Sequence, residues 1–166
     1  MLEVDQGHKP SLEALEQLYI QANQWDKLIE IYDQQFQVAF ESSEQVAIYD
    51  KIAKAQEEYF EDYDASIDAY RSTLSIEPGH EASIQNLERL YYQQSRWIDL
   101  VDIVEEHVRL NENNPEQQVH LLNELAKVHR DQLEAPHSAI DANLRSTERK
   151  PMQPEHMSDL GSLYEP

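Results

Sequence analysis

Apolar residues along this chain recur every three or four positions, as they do on one face of an α-helix. Leu12, Leu15 and Leu18 form one such stripe, and Ile84 and Leu87 begin another. Proline and glycine fall between the periodic stretches or at their first turn, where proline is tolerated. No segment alternates apolar and polar residues as a half-buried strand does. The pattern therefore predicts an all-α chain of eight helices in four antiparallel pairs, with a ninth helix after them.

The predicted elements account for almost the whole chain. The helix pairs are expected at residues of about 10–42, 45–77, 80–112 and 116–149, and the terminal helix at about 154–164. A chain of 166 residues fits one domain and is long enough to bury a core. We therefore expect residues 1–166 to form a single domain.

The helical pattern is also repeated. Gly7-His8 returns as Gly79-His80, an offset of 72 (79−7), and Ile67-Asp68-Ala69 returns as Ile140-Asp141-Ala142, an offset of 73 (140−67). Such self-similarity indicates that one supersecondary unit is stacked several times. Stacked units commonly bind partners over an extended surface.

A third copy of the pattern begins near the end of the sequence. Its residues Leu160, Leu163 and Tyr164 correspond to Leu87, Leu90 and Tyr91. This last helix either caps the stack or belongs to a longer array, and the sequence leaves both open. An uncovered apolar edge there would allow self-association through the terminal helix.

The length of the repeated unit points to a family. One pair occupies roughly 36 residues, half of the offset of 72, and has a short internal turn. The segment Asp62–Tyr70, followed by Leu74 and by Ile76-Glu77-Pro78, resembles the second helix of the tetratricopeptide repeat. The resemblance extends over about residues 8–166 and implies a right-handed α-solenoid. Helical repeats of other families are the structural alternative.

The charge balance restricts the partners. The sequence has 33 acidic and 13 basic residues, a formal net charge of −20. Such a charge repels phosphate backbones and anionic lipid headgroups, so we expect neither nucleic acid nor a membrane surface as partner. A solvated surface explains the charge in the simplest way. A basic partner protein would also suit it.

The sequence predicts no catalytic, cofactor or metal site. It contains no cysteine, its three glycines are isolated, and no serine stands in a Gly-x-Ser-x-Gly turn. It has seven histidines, but no two stand four residues apart on one helix, as metal-binding pairs do. We therefore expect a protein that is not an enzyme.

The scarce basic residues mark a candidate binding surface. Five of the 13 lie on the predicted first helices of a pair, which line the concave groove in tetratricopeptide proteins. The resemblance implies that these bases and neighbouring polar residues contact a peptide. The candidate residues are Gln17, Gln21, Lys51, Lys54, Gln85, Arg89, Tyr92, Asn123, Lys127 and Arg130. The alternative is pairing with nearby acids on the same helix, since Asp50 stands four residues before Lys54.

The preferred function is therefore a non-catalytic scaffold or adaptor that binds a protein or peptide. One alternative is a structural spacer within a longer repeat protein, and another is an acidic decoy that occupies a basic protein. Residues 1–10 lack the pattern of a signal peptide, and no stretch is long and apolar enough to span a membrane. These features favour a cytoplasmic location without fixing it.

Overall fold

The computed structural model describes residues 8–149, and within that range it contains eight α-helices and no β-strand. The helices are α1 (Lys9–Gln21), α2 (Trp25–Gln37), α3 (Ser42–Tyr59), α4 (Tyr63–Ile76), α5 (Glu81–Gln93), α6 (Trp97–Leu110), α7 (Pro115–Asp131) and α8 (Pro136–Arg149). The all-α class predicted from the sequence is confirmed. The terminal helix predicted at about 154–164 lies outside the described residues.

The contacts of the chain fall into two compact units. The first unit ends at Leu90 and the second begins at Tyr91, so the boundary lies inside α5. In the first unit α1 packs on α2, α2 on α3, and α3 on α4. In the second unit α6 packs on α7, and α7 on α8. Within each of these two runs a helix thus packs on the next one in the chain, and a single domain over the whole chain remains a prediction.

The core of the first unit includes a cluster around α2. Leu28 and Tyr32 of α2 pack with Ile48 and Ala55 of α3, and Ala39 joins them from the connecting loop. Trp25 packs against this cluster, and its ring stacks on that of Tyr59 with 3.7 Å between the centroids. A tryptophan at the first position of α2 therefore holds the turn between α1 and α2 against the end of α3.

All four helix pairs have the same backbone signature in their internal turn. A non-glycine residue with positive φ stands two positions before each second helix: Asn23 (51°), Glu61 (52°), Ser95 (56°) and Glu134 (49°). This left-handed conformation ends a helix sharply and reverses the chain. The two members of each pair are therefore joined by one kind of turn.

The long and short pairs differ in their first helices. The helices α3 and α7 have 18 and 17 residues, whereas α1 and α5 have 13 each. The turn-closing hydrogen bond also differs. In the short pairs the N–H of Gln24 donates to the carbonyl of Tyr19, five residues back, whereas in the long pairs the N–H of Asp62 donates to Gln56, six residues back. One extra residue is thus accommodated at the end of α3.

Candidate functional site

Long-range ion pairs join the first helices of the first unit, and two of them involve candidate bases. The Lys51 ammonium on α3 lies 2.9 Å from the Glu16 carboxylate on α1. The Arg89 guanidinium on α5 binds both oxygens of Glu57 on α3, each at 2.7 Å. The helices α1, α3 and α5 are thus neighbours in the first unit. We call the surface that they present the first-helix face.

Glu16 is the buried centre of this arrangement. Its side chain keeps only 8% of its accessible area, and it also accepts a hydrogen bond from Gln35 Nε2 at 2.8 Å. Burial and the neighbouring Glu16 charge raise the pKa of the Tyr32 phenol. The Lys51 ammonium lies 5.6 Å from the centre of the Tyr32 ring, within cation–π range. Glu16 was not among the residues predicted from the sequence, although its position four residues after Leu12, in the apolar stripe, is a signal of burial.

The second ion pair lies at the junction of α3 and α5. Arg89 binds Glu57 in the two-point geometry that makes such pairs strong, and the pKa of Arg89 is raised by these hydrogen bonds. Burial, followed by the charges of Asp50 and Glu57, raises the pKa of the Tyr70 phenol to about 12. Arg89 therefore holds α5 against α3, and the Glu57 carboxylate balances its positive charge.

The other candidate residues of the first unit are solvated or paired locally. Gln17 and Gln21 are exposed on α1. Gln85 donates to Glu81 Oε1 at 2.8 Å, and the Lys54 ammonium lies 2.7 Å from Asp50, one helical turn before it. The structure thus shows Lys54 in the same-helix pairing that the sequence offered as the alternative.

The candidate residues of the second unit lie on α5 and α7. Tyr92 is 60% exposed and meets the edge of the Trp97 ring, with 5.4 Å between the centroids. Asn123 accepts a hydrogen bond from Ser146 at 2.8 Å. Lys127 pairs with Glu124 at 2.6 Å, and Arg130 pairs with Asp131 at 2.7 Å. Asn123, Lys127 and Arg130 line one cleft of about 470 Å³.

Charge matching is therefore common to the candidate bases of both units. Each of the five bases predicted from the sequence holds a carboxylate within 3 Å, three of them on their own helix and two on a neighbouring helix. These surfaces offer neutral ion pairs, amides and an aromatic edge. They therefore offer hydrogen-bonding groups and a defined shape, and they have little local excess of positive charge.

A cleft in the first unit adjoins the Glu16–Lys51 pair. It has a volume of about 240 Å³ and lies between α1, the end of α2 and α3. Val38, Ala39 and Ile48 give it an apolar lining, while Lys9 and Glu44, themselves 2.7 Å apart, stand at its rim together with Lys51. This combination suits an apolar side chain flanked by polar groups. We call it the α1–α3 cleft.

A polar cavity in the second unit contains two histidines. His129 and His137 line a space of about 340 Å³ together with Glu105 and Arg145, whose side chains pair at 2.7 Å. The Nδ1 atom of His129 is buried and has no hydrogen-bond partner. Over residues 8–149, no group of three or more His, Cys, Asp or Glu side chains has the arrangement of a metal site. The same range holds no helix long and apolar enough to cross a membrane.

A family comparison supports the repeat assignment. Residues 11–44 match a model of the tetratricopeptide repeat. The matched segment runs from the first turn of α1, through α2, to the first turn of α3. No curated protein matches the chain.

Proposed function

We propose that this chain is a non-catalytic scaffold that binds a protein or peptide partner on its first-helix face. The premise is that it is a helical repeat protein of the tetratricopeptide repeat family. Repeats of this family are generally protein-interaction modules. The proposed first-helix face includes Gln17, Gln21, Lys51, Lys54, Gln85 and Arg89. In the second unit, Tyr92, Asn123, Lys127 and Arg130 are proposed as separate contacts of a partner.

The observation that carries this proposal is the pair of interhelical ion pairs, Lys51–Glu16 and Arg89–Glu57. They join α1 to α3 and α3 to α5 through side chains of the chain itself. A surface that is already ordered loses little conformational entropy when a partner binds. This supports recognition by a preformed shape.

The α1–α3 cleft is the proposed anchor of the partner. A few buried anchors carry most of the energy in protein interfaces. The apolar lining at Val38 and Ile48 suits a side chain such as leucine. At the rim, Lys51 and Lys9, each paired with an acid, provide donors for the backbone carbonyls of the partner segment. We therefore propose a partner segment with one apolar residue seated in this cleft.

Charge favours a neutral or basic partner segment. The candidate bases are matched by acids, and the chain as a whole carries a net charge of −20. An acidic segment would meet this excess of negative charge, and the candidate bases that could offset it are already paired with acids. Hydrogen bonding by the exposed amides is the proposed source of selectivity.

The test uses a peptide selected from a displayed random library against the purified chain. Lys54→Glu reverses a charge on the first-helix face, and Arg71→Glu makes the same change on the exposed surface of α4, a second helix. We expect Lys54→Glu to change the Kd of the peptide about tenfold or more and Arg71→Glu to change it less than about twofold. Equal effects of the two variants would contradict binding on the first-helix face.

A variant of the cleft separates shape from charge. Ala47→Trp places a bulky ring at the lining of the α1–α3 cleft without changing the net charge. We expect it to abolish binding of a cleft-anchored peptide. A peptide that still binds, but is released by moderate salt, would support the acidic-decoy alternative. Failure to select any peptide would favour the structural spacer.

A further inference from the structure

The first unit exposes a patch of aromatic rings where α2 begins and α3 ends. Trp25 opens α2 and Tyr59 closes α3, and their rings stack face to face with 3.7 Å between the centroids. Tyr59 is 39% exposed, and Phe60, which follows α3, is 37% exposed. Trp25 is half-buried. We call these three side chains the aromatic patch, and none of them lines the α1–α3 cleft.

Each residue of the aromatic patch has an acidic neighbour in the chain. These neighbours are Asp26, Glu58 and Glu61, and all three are exposed. None of their carboxylates forms a salt bridge with a residue that the structure describes. The next base along the chain, Lys27, has its ammonium 5.6 Å from the centre of the Tyr19 ring. The patch therefore has a local excess of negative charge, in contrast to the candidate bases, whose charges are matched.

The rings of the patch are also open to a cation. Cation–π contacts within the chain involve the rings of Tyr19, Tyr32 and Tyr91. Among the described residues, no ammonium or guanidinium lies over a ring of the aromatic patch. An exposed ring attracts a cation through its quadrupole, and a nearby carboxylate attracts it through its charge. Both attractions are present here.

The second unit shows how such groups hold a guanidinium. The Arg96 guanidinium lies 5.1 Å from the centre of the Tyr91 ring, and its Nε donates to the Asp99 carboxylate at 2.8 Å. A planar guanidinium stacks on an aromatic ring and keeps its N–H groups directed at a carboxylate, whereas an ammonium is a compact, strongly hydrated charge. The same chemistry, with the base supplied by another protein, suits the aromatic patch.

We propose that the aromatic patch docks a partner protein through an arginine side chain. The guanidinium packs on the exposed rings of Tyr59 and Phe60, and the neighbouring carboxylates balance its charge. Charge complementarity selects this occupant, because an apolar or acidic side chain would leave those carboxylates unbalanced. A second copy of this chain is disfavoured, since each molecule carries a net charge of −20. The inference concerns a surface separate from the first-helix face and does not rest on binding there.

The test is a fluorescence titration of the full chain. The chain has two tryptophans, so Trp97→Phe leaves Trp25 as the reporter. The probe is a capped Gly-Arg-Gly-Arg-Gly peptide, compared with peptides that carry lysine or citrulline, a neutral isostere, in place of arginine. We expect the arginine peptide to change the Trp25 emission saturably. The Kd should be about threefold higher for lysine and at least about tenfold higher for citrulline.

A matched pair of triple variants locates the binding surface. One variant neutralises the acids of the patch: Asp26→Asn, Glu58→Gln and Glu61→Gln. The other neutralises three exposed acids toward the opposite end of the helices and has the same net charge: Asp33→Asn, Glu41→Gln and Glu77→Gln. We expect the first variant to raise the Kd of the arginine peptide about tenfold and the second to raise it less than about twofold.

Several outcomes would overturn the proposal. Equal effects of the two triple variants would show that the peptide responds to net charge alone. Equal affinities for the arginine and citrulline peptides would show that the guanidinium charge is not recognised. Calorimetric binding without a change in the Trp25 emission, or no saturable binding at all, would remove the patch as the docking surface. The peptide comparison leaves the patch unaltered, so it decides the question even if a triple variant is unstable.

Discussion

At the scale of single residues, the Glu16 carboxylate joins three helices of the first unit. It lies on α1, accepts from Gln35 of α2 at 2.8 Å and pairs with Lys51 of α3. A buried carboxylate is stable only when its oxygens are satisfied in this way. Its role is thus to specify how α1, α2 and α3 meet.

We predict that Glu16→Gln destabilises the fold. The substitution removes the charge that faces Lys51 and replaces one of the two acceptor oxygens with an NH₂ donor. The expected loss is about 1–3 kcal/mol, and it is toward the lower end because the Lys51 side chain is 42% exposed to screening water. Urea denaturation measures it. Glu13→Gln, at an exposed position of the same helix, should change stability by less than about 0.5 kcal/mol; equal losses would refute the special role of Glu16.

The Glu105–Arg145 pair predicts a specific dependence on pH. Hydrogen bonding to Arg145, against the opposing effect of burial, holds the pKa of Glu105 below its ordinary value of 4.5. Its contribution to stability is therefore complete above the unfolded pKa and is lost as the pH falls through the lowered folded pKa. We expect Glu105→Gln to be less stable than the parent chain at pH 7 and the difference to shrink as the pH falls through the lowered folded pKa of Glu105. A difference that persists at low pH would show that the carboxylate charge is not the cause.

Local and long-range pairs differ in how far the sequence predicts them. The pairing of Lys54 with Asp50 follows from helical spacing and could be anticipated. Glu16–Lys51 and Arg89–Glu57 join residues 35 and 32 positions apart on different helices. No spacing rule reaches that far, because the partners depend on how the helices pack. The sequence therefore predicts ion pairs within one helix but not those between helices.

At the scale of elements, the four left-handed turn residues are a shared source of strain. Only glycine adopts positive φ without steric cost, yet the positions hold Asn23, Glu61, Ser95 and Glu134. The surrounding helices must impose this conformation, since a left-handed non-glycine residue costs about 1–2 kcal/mol. Packing of the two helices that flank the turn therefore holds it in this conformation.

We predict that Glu61→Gly stabilises the first unit. Relief of the left-handed conformation outweighs the entropy that glycine adds to the unfolded chain, and the net gain is about 0.5–1 kcal/mol. The same exchange within a helix, Glu58→Gly, should destabilise by about 1 kcal/mol because glycine is a poor helix former. Urea midpoints that move in the same direction for both variants would contradict the strain at Glu61.

Helix starts followed from the sequence more closely than helix ends. The four pairs were expected to start at about residues 10, 45, 80 and 116, and they start at Lys9, Ser42, Glu81 and Pro115. The first pair was expected to reach about residue 42, but α2 ends at Gln37. Ala39 continues the apolar period and is buried, although it lies in the loop. Periodicity reports burial, and burial alone does not distinguish a packed loop from a helix.

At the scale of the molecule, an apolar stripe on a helix of a repeat protein is buried only where a neighbouring helix covers it. Leu18 and Leu90 occupy the same position in their repeats, yet Leu18 is 58% exposed and Leu90 is fully buried. No described helix precedes α1, whereas α4 precedes α5. The apolar spacing predicted both leucines as core, and the position of each repeat in the array decides which one is covered.

The location of the net charge is also a property of the whole molecule. The sequence indicates an excess of 20 negative charges, and it offered the few bases as a local positive surface. In the structure the candidate bases are occupied by acids, so the excess charge belongs to the remaining surface. We therefore propose that recognition by the first-helix face depends on amides, the α1–α3 cleft and shape.

The most direct test of this account is a nitrogen–proton correlation NMR titration of the chain with the library-selected peptide. The side-chain amides of Gln17, Gln21 and Gln85 give separate signals and report on the first-helix face itself. We predict that these signals and the backbone amides of α1, α3 and α5 shift on binding, while those of α4 stay in place. Shifts confined to the second helices α2 and α4 would show that the partner binds the opposite surface and would contradict the account.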